Sequence, residues 1–149
     1  MSIATARIES GAVKTQLSFS EPNRIECSRL DLTVAAAEFR ADGLANSRCR
    51  SITFEGGVGD ITLDFTGVWE GDVTREAEIS LGLGQLTLRL PRRVGISIEI
   101  DRFLASFDRA GFRKRGSRYL SQGYEQAPAR LHISVKAVLG DVDIQWVER

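Results

Sequence analysis

The apolar positions of the chain recur as short alternating runs set about a glycine, and the clearest copy is the stretch Ile52 to Gly67. Apolar and polar residues alternate at Ile52 and Phe54 and again at Ile61, Leu63 and Phe65, which is the period of a strand with one face buried. Between the two runs lie Gly56, Gly57 and Gly59, where the backbone can bend, bulge or take a positive φ without a Cβ penalty. The predicted unit is strand, glycine-rich corner, strand.

Centred on Gly59, the unit asks for apolar residues seven and five positions before and two, four and six after. Gly84 meets this with Ala77, Ile79, Leu86, Leu88 and Leu90, and Gly140 meets it with Ile133, Val135, Val142, Ile144 and Trp146. Weaker copies surround Ala37 (Leu30, Leu32, Phe39, Ala41), Ala105 (Ile98, Ile100, Phe107) and Val13 (Ala6, Ile8, Leu17, Phe19). The six centres follow one another at steps of 24, 22, 25, 21 and 35 residues. Strand and turn repeating every 20 to 25 residues or so, with no helical period between, predicts a solenoid. Six turns stacked at about 4.8 Å would make a column about 25 Å tall. A sandwich of antiparallel hairpins also gives short strands at even spacing. Against it, the same residue classes return to the same place once per turn, which favours parallel register.

Cys27 precedes Ala37, and Cys49 precedes Gly59, by the same ten residues. In a solenoid they occupy equivalent places on adjacent turns, about 4.8 Å apart. That arrangement reads as a pair of small buried thiols rather than a disulfide. The long last step holds an insertion over residues 108–129, broken by Gly111, Gly116, Gly123 and Pro128 and carrying arginines, a lysine and aromatic residues. It reads as a basic excursion from the column. Neither end of the chain reads as a polar cap, so the terminal turns are expected to present unpaired edges.

Composition narrows the picture by exclusion. A length of 149 residues suits one domain spanning residues 1–149. Twenty basic and twenty acidic side chains cancel, which leaves no global field to attract nucleic acid. No apolar run has the length of a membrane helix, and Met1 to Thr15 lacks a basic segment followed by a long apolar one, so neither a membrane span nor a signal peptide is expected. Two cysteines and one histidine are too few for an all-Cys/His zinc site, and no cofactor is implied.

Several motifs resemble one family. Cys49, Phe54-Glu55-Gly56-Gly57-Val58-Gly59, Leu63-Asp64-Phe65-Thr66-Gly67-Val68-Trp69, Leu90-Pro91-Arg92-Arg93-Val94-Gly95, Ser106-Phe107-Asp108, Gly111-Phe112, Arg115-Gly116, and Gly140 with Trp146 are together similar to the toast-rack, LiaF-like family of bacterial cell-envelope proteins. The resemblance covers Cys49 to Val147, and the first 48 residues through the repeat alone. It implies an all-β fold, a single-stranded right-handed parallel β-helix of about six short turns, without catalytic residues. It also implies roles in envelope-stress or antibiotic-response signalling, or adhesin-like ones. Parallel crossover connections favour the right hand in general.

Four surface features could carry chemistry. Glu38 over Asp60 and Asp42 over Asp64 would stack carboxylates that repel unless a cation sits between them. The simpler reading is a solvated face with Arg40 nearby. Arg113, Lys114, Arg115, Arg118 and Tyr119 of the insertion form the candidate binding site, suited to an anionic envelope polymer, lipid headgroups or an acidic partner protein. Alternatively the insertion is a hairpin whose Phe112 and Tyr119 cover one wall of the column. His132 has no Ser or Cys nucleophile placed beside it by sequence, which argues against catalysis. Gly57-Val58-Gly59 and Gly82-Leu83-Gly84 lack the following helix and the Lys-Ser/Thr pair of a phosphate loop, and Trp69 and Trp146 read as packing anchors. These features favour a non-enzymatic interaction or sensory module of the envelope. The alternatives are a protein that self-associates through uncapped end turns and, more remotely, a glycan-cleaving enzyme using the Glu38 to Asp64 carboxylates, which would sit on an open strand face and not in a cleft.

Overall fold

The computed structural model describes residues 4–10, 14–19, 27–35, 38–69, 72–100, 105–107 and 111–148. The repeat centres Val13 and Ala37 and the first residues of the insertion, 108–110, lie outside them. The described chain is all-β, without an α-helix. Its strands are β1 (Ala4–Ser10), β2 (Lys14–Ser18), β3 (Cys27–Val34), β4 (Glu38–Asp42), β5 (Cys49–Asp64), β6 (Thr74–Pro91), β7 (Gly95–Ile100), β8 (Ala105–Phe107), β9 (Phe112–Arg115), β10 (Arg118–Ser121) and β11 (Arg130–Val147). They form one open sheet ordered β1-β3-β5-β6-β11-β7-β10-β9, with β2, β4 and β8 pairing alongside it.

The glycine centres explain the long strands. Before the corner of β5 the buried side chains fall on even positions, Ile52 and Phe54; after it they fall on odd ones, Ile61 and Leu63. β6 makes the opposite switch, from Ala77, Ile79 and Leu81 to Leu86, Leu88 and Leu90. A strand alternates strictly, so keeping the same face inward across the corner needs a one-residue phase change. Gly59, Gly84 and Gly140 supply it at φ of 155°, 142° and 140°, and they pair with one another in register. A Cβ on Gly84 would run into the carbonyl oxygen of Gly59, and one on Gly140 into that of Gly84.

This ladder sets the stacking order, which differs from the sequential column the spacing predicted. β11 inserts between β6 and β7: Val135 pairs with Ile79 on one side and Ile100 on the other. The place above Gly84 admits only a residue without Cβ. Gly140 fills it, and the alanine-centred copy stacks outside, with Ala105 beside Gly140.

The insertion is likewise no free excursion. β10 pairs antiparallel with β7, and β9 antiparallel with β10, so a two-stranded hairpin lengthens the sheet beyond β7. That end of the stack is thus covered, contrary to the expectation that both terminal turns are open, and the final edge strand reads Phe112-Arg113-Lys114-Arg115. Charged side chains on an edge discourage further pairing. At the opposite end β1 stands outermost on the sheet path.

Parallel register also places Cys27 against Cys49 with Cα atoms 4.1 Å apart, and the two are joined by a disulfide rather than left as thiols. Beside it the short 3-10 turn Leu44–Ser47 is tied to its neighbours through Asn46. Asn46 Nδ2 donates to Phe19 O at 2.8 Å, and its Oδ1 accepts from Val68 N at 3.0 Å, so one buried side chain links three successive repeats. Trp69 donates to Phe65 O at 3.0 Å with the Arg75 guanidinium over its ring, a packing role.

Candidate functional site

The five candidate binding residues divide between two faces of the hairpin. Directly opposed residues of an antiparallel pair share a face. Tyr119 lies opposite Ile98 and Lys114, while Arg118 lies opposite Glu99 and Arg115. Ile98 belongs to the core, so Tyr119 and Phe112 stand on the core-facing side and pack against it, with the Phe112 and Trp146 rings 5.1 Å apart. Arg113, Arg115 and Arg118 stand on the outer face. Arg113 forms an ion pair with Glu125, and Arg118 faces Glu99 at 3.9 Å. Lys114 and Arg115, both exposed, make no ion pair among the described residues. The structure brings the three arginines together on one face and sets Lys114, opposite Tyr119, on the other.

The acidic stack resolves into local pairs. Glu38 does pair in register with Asp60, but Lys14 lies 3.7 Å from Glu38, and Arg40 lies 2.8 Å from Asp42. Asp64 is buried, accepts the Thr66 backbone N–H at 2.8 Å and meets Arg89 at 3.3 Å. Among the described residues no group of three or more His, Cys, Asp or Glu could hold a metal ion.

The outer faces of β6, β11, β7 and β10 carry a cluster that the chain's local sequence conceals. Glu76, His132 and Ser97 are paired in register across three adjacent strands. Each lies eight residues before its repeat centre, so the phase of the repeat was the signal that could have found them. Carboxylate, imidazole and hydroxyl in a row suggest a nucleophilic triad, but the imidazole is engaged elsewhere: its Nε2 lies 3.4 Å from the Tyr124 hydroxyl. It shares no hydrogen bond with Ser97 or Glu76 among the described residues.

Burial, and then Arg118, hold His132 below the ordinary histidine value of 6.5, against a smaller upward pull from Glu76. The sign follows. The unfolded chain takes up the proton first, so this contribution to stability is complete above 6.5 and is lost as the pH falls through the folded-state value. The melting temperature is expected to fall between neutral pH and mildly acidic pH, and the His132→Gln chain should show a smaller fall when melted in the same buffers.

A sequence profile of the family described as Cell wall-active antibiotics response LiaF, C-terminal, matches residues 44–144. The chain belongs to this LiaF-like family. The LiaF-like match begins at the 3-10 turn and takes in the glycine ladder, the hairpin and β11 almost to its end. The family is one of cell-envelope stress-response modules. A solved structure of a cell-adhesion candidate from Clostridium sporogenes superposes with a TM-score of 0.78 at 17% identity, covering 97% of this chain and 92% of that one, which shows a common fold. No curated protein matches the chain in sequence. Among the described residues no helix is long and apolar enough to cross a membrane.

Proposed function

We propose that this LiaF-like chain is a single-domain, non-enzymatic interaction module of the cell envelope, built as a right-handed parallel solenoid whose last turn is threaded into the stack. The names of the family and of the structural neighbour both point to a sensory or adhesin-like role. In this reading the basic hairpin is the contact surface, taking an anionic envelope polymer or lipid headgroups. The observation that carries it is the exposed edge strand β9, on which Lys114 and Arg115 stand without ion-pair partners among the described residues. A rigid sheet holds Arg113, Arg115 and Arg118 on one face at fixed spacing, with Lys114 reaching past the edge from the other, which suits repeated anionic groups.

The test is a titration of vesicles containing phosphatidylglycerol, and of a polyphosphate chain, against the wild type and the Arg113→Ser/Lys114→Ser/Arg115→Ser variant. Losing three basic groups near an anionic surface, at about 1 kcal/mol each, should weaken binding on the order of tenfold to a hundredfold and reduce its salt dependence. Equal affinity for both proteins would remove the hairpin from consideration. Self-association is the second reading, favoured by the outermost position of β1. Light scattering on the same samples separates the two, since a mass growing with concentration belongs to self-association alone.

A further inference from the structure

The strand order that threads β11 between β6 and β7 creates a groove on the outer face of the sheet, about 250 Å³ in volume. Two registered rows line it. One is Glu76, His132 and Ser97; the other is Glu78, Ser134, Glu99 and Arg118. Residues two apart along a strand lie about 6.8 Å from each other and adjacent strands about 4.8 Å, so the rows enclose a floor the width of one small polar molecule.

The lining carries an excess of negative charge, three carboxylates against the single guanidinium of Arg118. Glu78 and Glu99 are partly compensated, by Lys136 at 3.4 Å and Arg118 at 3.9 Å, through exposed and therefore weak pairs. Glu76 makes no ion pair among the described residues. The independent observation is Ser97. Its side chain lines the groove at 2% exposure, yet its hydroxyl meets no hydrogen-bond partner among the described residues. A hydroxyl in such a place keeps its donor and acceptor sites for whatever occupies the groove. It is not sealed inside the fold, because the fully buried side-chain polar atom left without a partner among the described residues is Arg89 Nε. Its opening is onto the groove.

We propose that this groove binds a primary ammonium group, with Glu76 as its counter-ion and the Ser97 and Ser134 hydroxyls as hydrogen-bond acceptors. An ammonium presents three donors and no acceptor, which matches a carboxylate and hydroxyls lining one groove. The group could belong to a free amine of sugar size or to a lysine side chain of a protein. This site is separate from the Lys114 and Arg115 edge, and its failure would leave the hairpin reading untouched.

The experiment is a titration of the isotopically labelled full chain by amide NMR with glucosamine, with glucose as the neutral analogue, and with a lysine capped at both backbone ends. Glucosamine should move the amides of Glu76, Ser97, His132 and Ser134 saturably, while glucose leaves them in place. Glu76→Gln, an exposed change that keeps the fold, should weaken the response at least tenfold, and Ser97→Ala severalfold. Tighter binding of the capped lysine than of glucosamine would assign the ammonium to a protein partner, and the reverse order to a free amine. Equal shifts with glucose, an unchanged affinity in Glu76→Gln, or no shifts at millimolar concentrations of either amine would overturn the proposal.

Discussion

Gly140→Ala is expected to cost more than about 4 kcal/mol, enough to leave little folded protein, because the new Cβ would be driven into the carbonyl oxygen of Gly84. Backbone on a neighbouring strand cannot rotate aside as a side chain can, and φ at this position is 140°, where L-residues are strained already. Gly84→Ala should behave alike, since its Cβ meets the carbonyl of Gly59. Two other glycines serve as controls. A methyl group added at Gly57 would meet nothing within 4 Å, and the position needs no positive φ, so Gly57→Ala should stay within about 0.5 kcal/mol of the wild type. Gly116 has open space but a φ of 63°, and Gly116→Ala should lose about 1 kcal/mol through conformation alone. Urea unfolding of the soluble variants, with circular dichroism of refolded material for the others, gives the ranking. A Gly140→Ala protein as stable as Gly57→Ala would mean that the three centres do not stack.

The second large effect concerns the disulfide. The bond between Cys27 and Cys49 closes a loop with a sequence separation of 22 residues, for which loop-closure entropy predicts a stabilisation of about 3 kcal/mol. The Cys27→Ala/Cys49→Ala variant, and the wild type under reducing conditions, should both melt roughly 10 °C below the oxidised protein. Both cysteines are buried, so the methyl groups of the variant leave no polar atom unsatisfied, and the loss should come mainly from the freed loop. Identical melting of the oxidised and reduced wild type, with free thiols counted in both, would show that the native protein does not carry the bond. If the bond is carried, the domain is expected to reside where thiols are oxidised, since such bonds seldom persist in reducing compartments.

Much of this was legible in the chain. The alternating runs at Ile52, Phe54, Ile61 and Leu63 marked the strands and their buried faces, and the equal offsets of Cys27 and Cys49 placed them on neighbouring strands in register. Whether the sulfurs join was not legible, because spacing brings two cysteines together without setting their oxidation state. Strand order was hidden for a related reason. Residues in phase can stack in any sequence, and the choice was made by the absence of a Cβ at Gly140 against its presence at Ala105. The insertion was legible as a hairpin whose Phe112 and Tyr119 cover one wall, but its antiparallel pairing onto β7 was not, since β9 and β10 have four residues each, too few to display a period. The row of Glu76, His132 and Ser97 was within reach of the repeat's phase, but its order, with His132 between the other two, was not, because that order follows from the threading of β11.

The threading of β11 has a mechanical consequence. Tension entering the fold beyond Val147 acts along a strand held on both edges, by β6 from Arg130 to Val147 and by β7 and β8 over two shorter stretches. Such a load shears parallel ladders all at once. Tension entering at Ala4 instead reaches the outermost strand of the sheet path, which is held by β3 along one edge. The fold is therefore expected to resist a load drawn from the end of β11 more than one drawn from the start of β1.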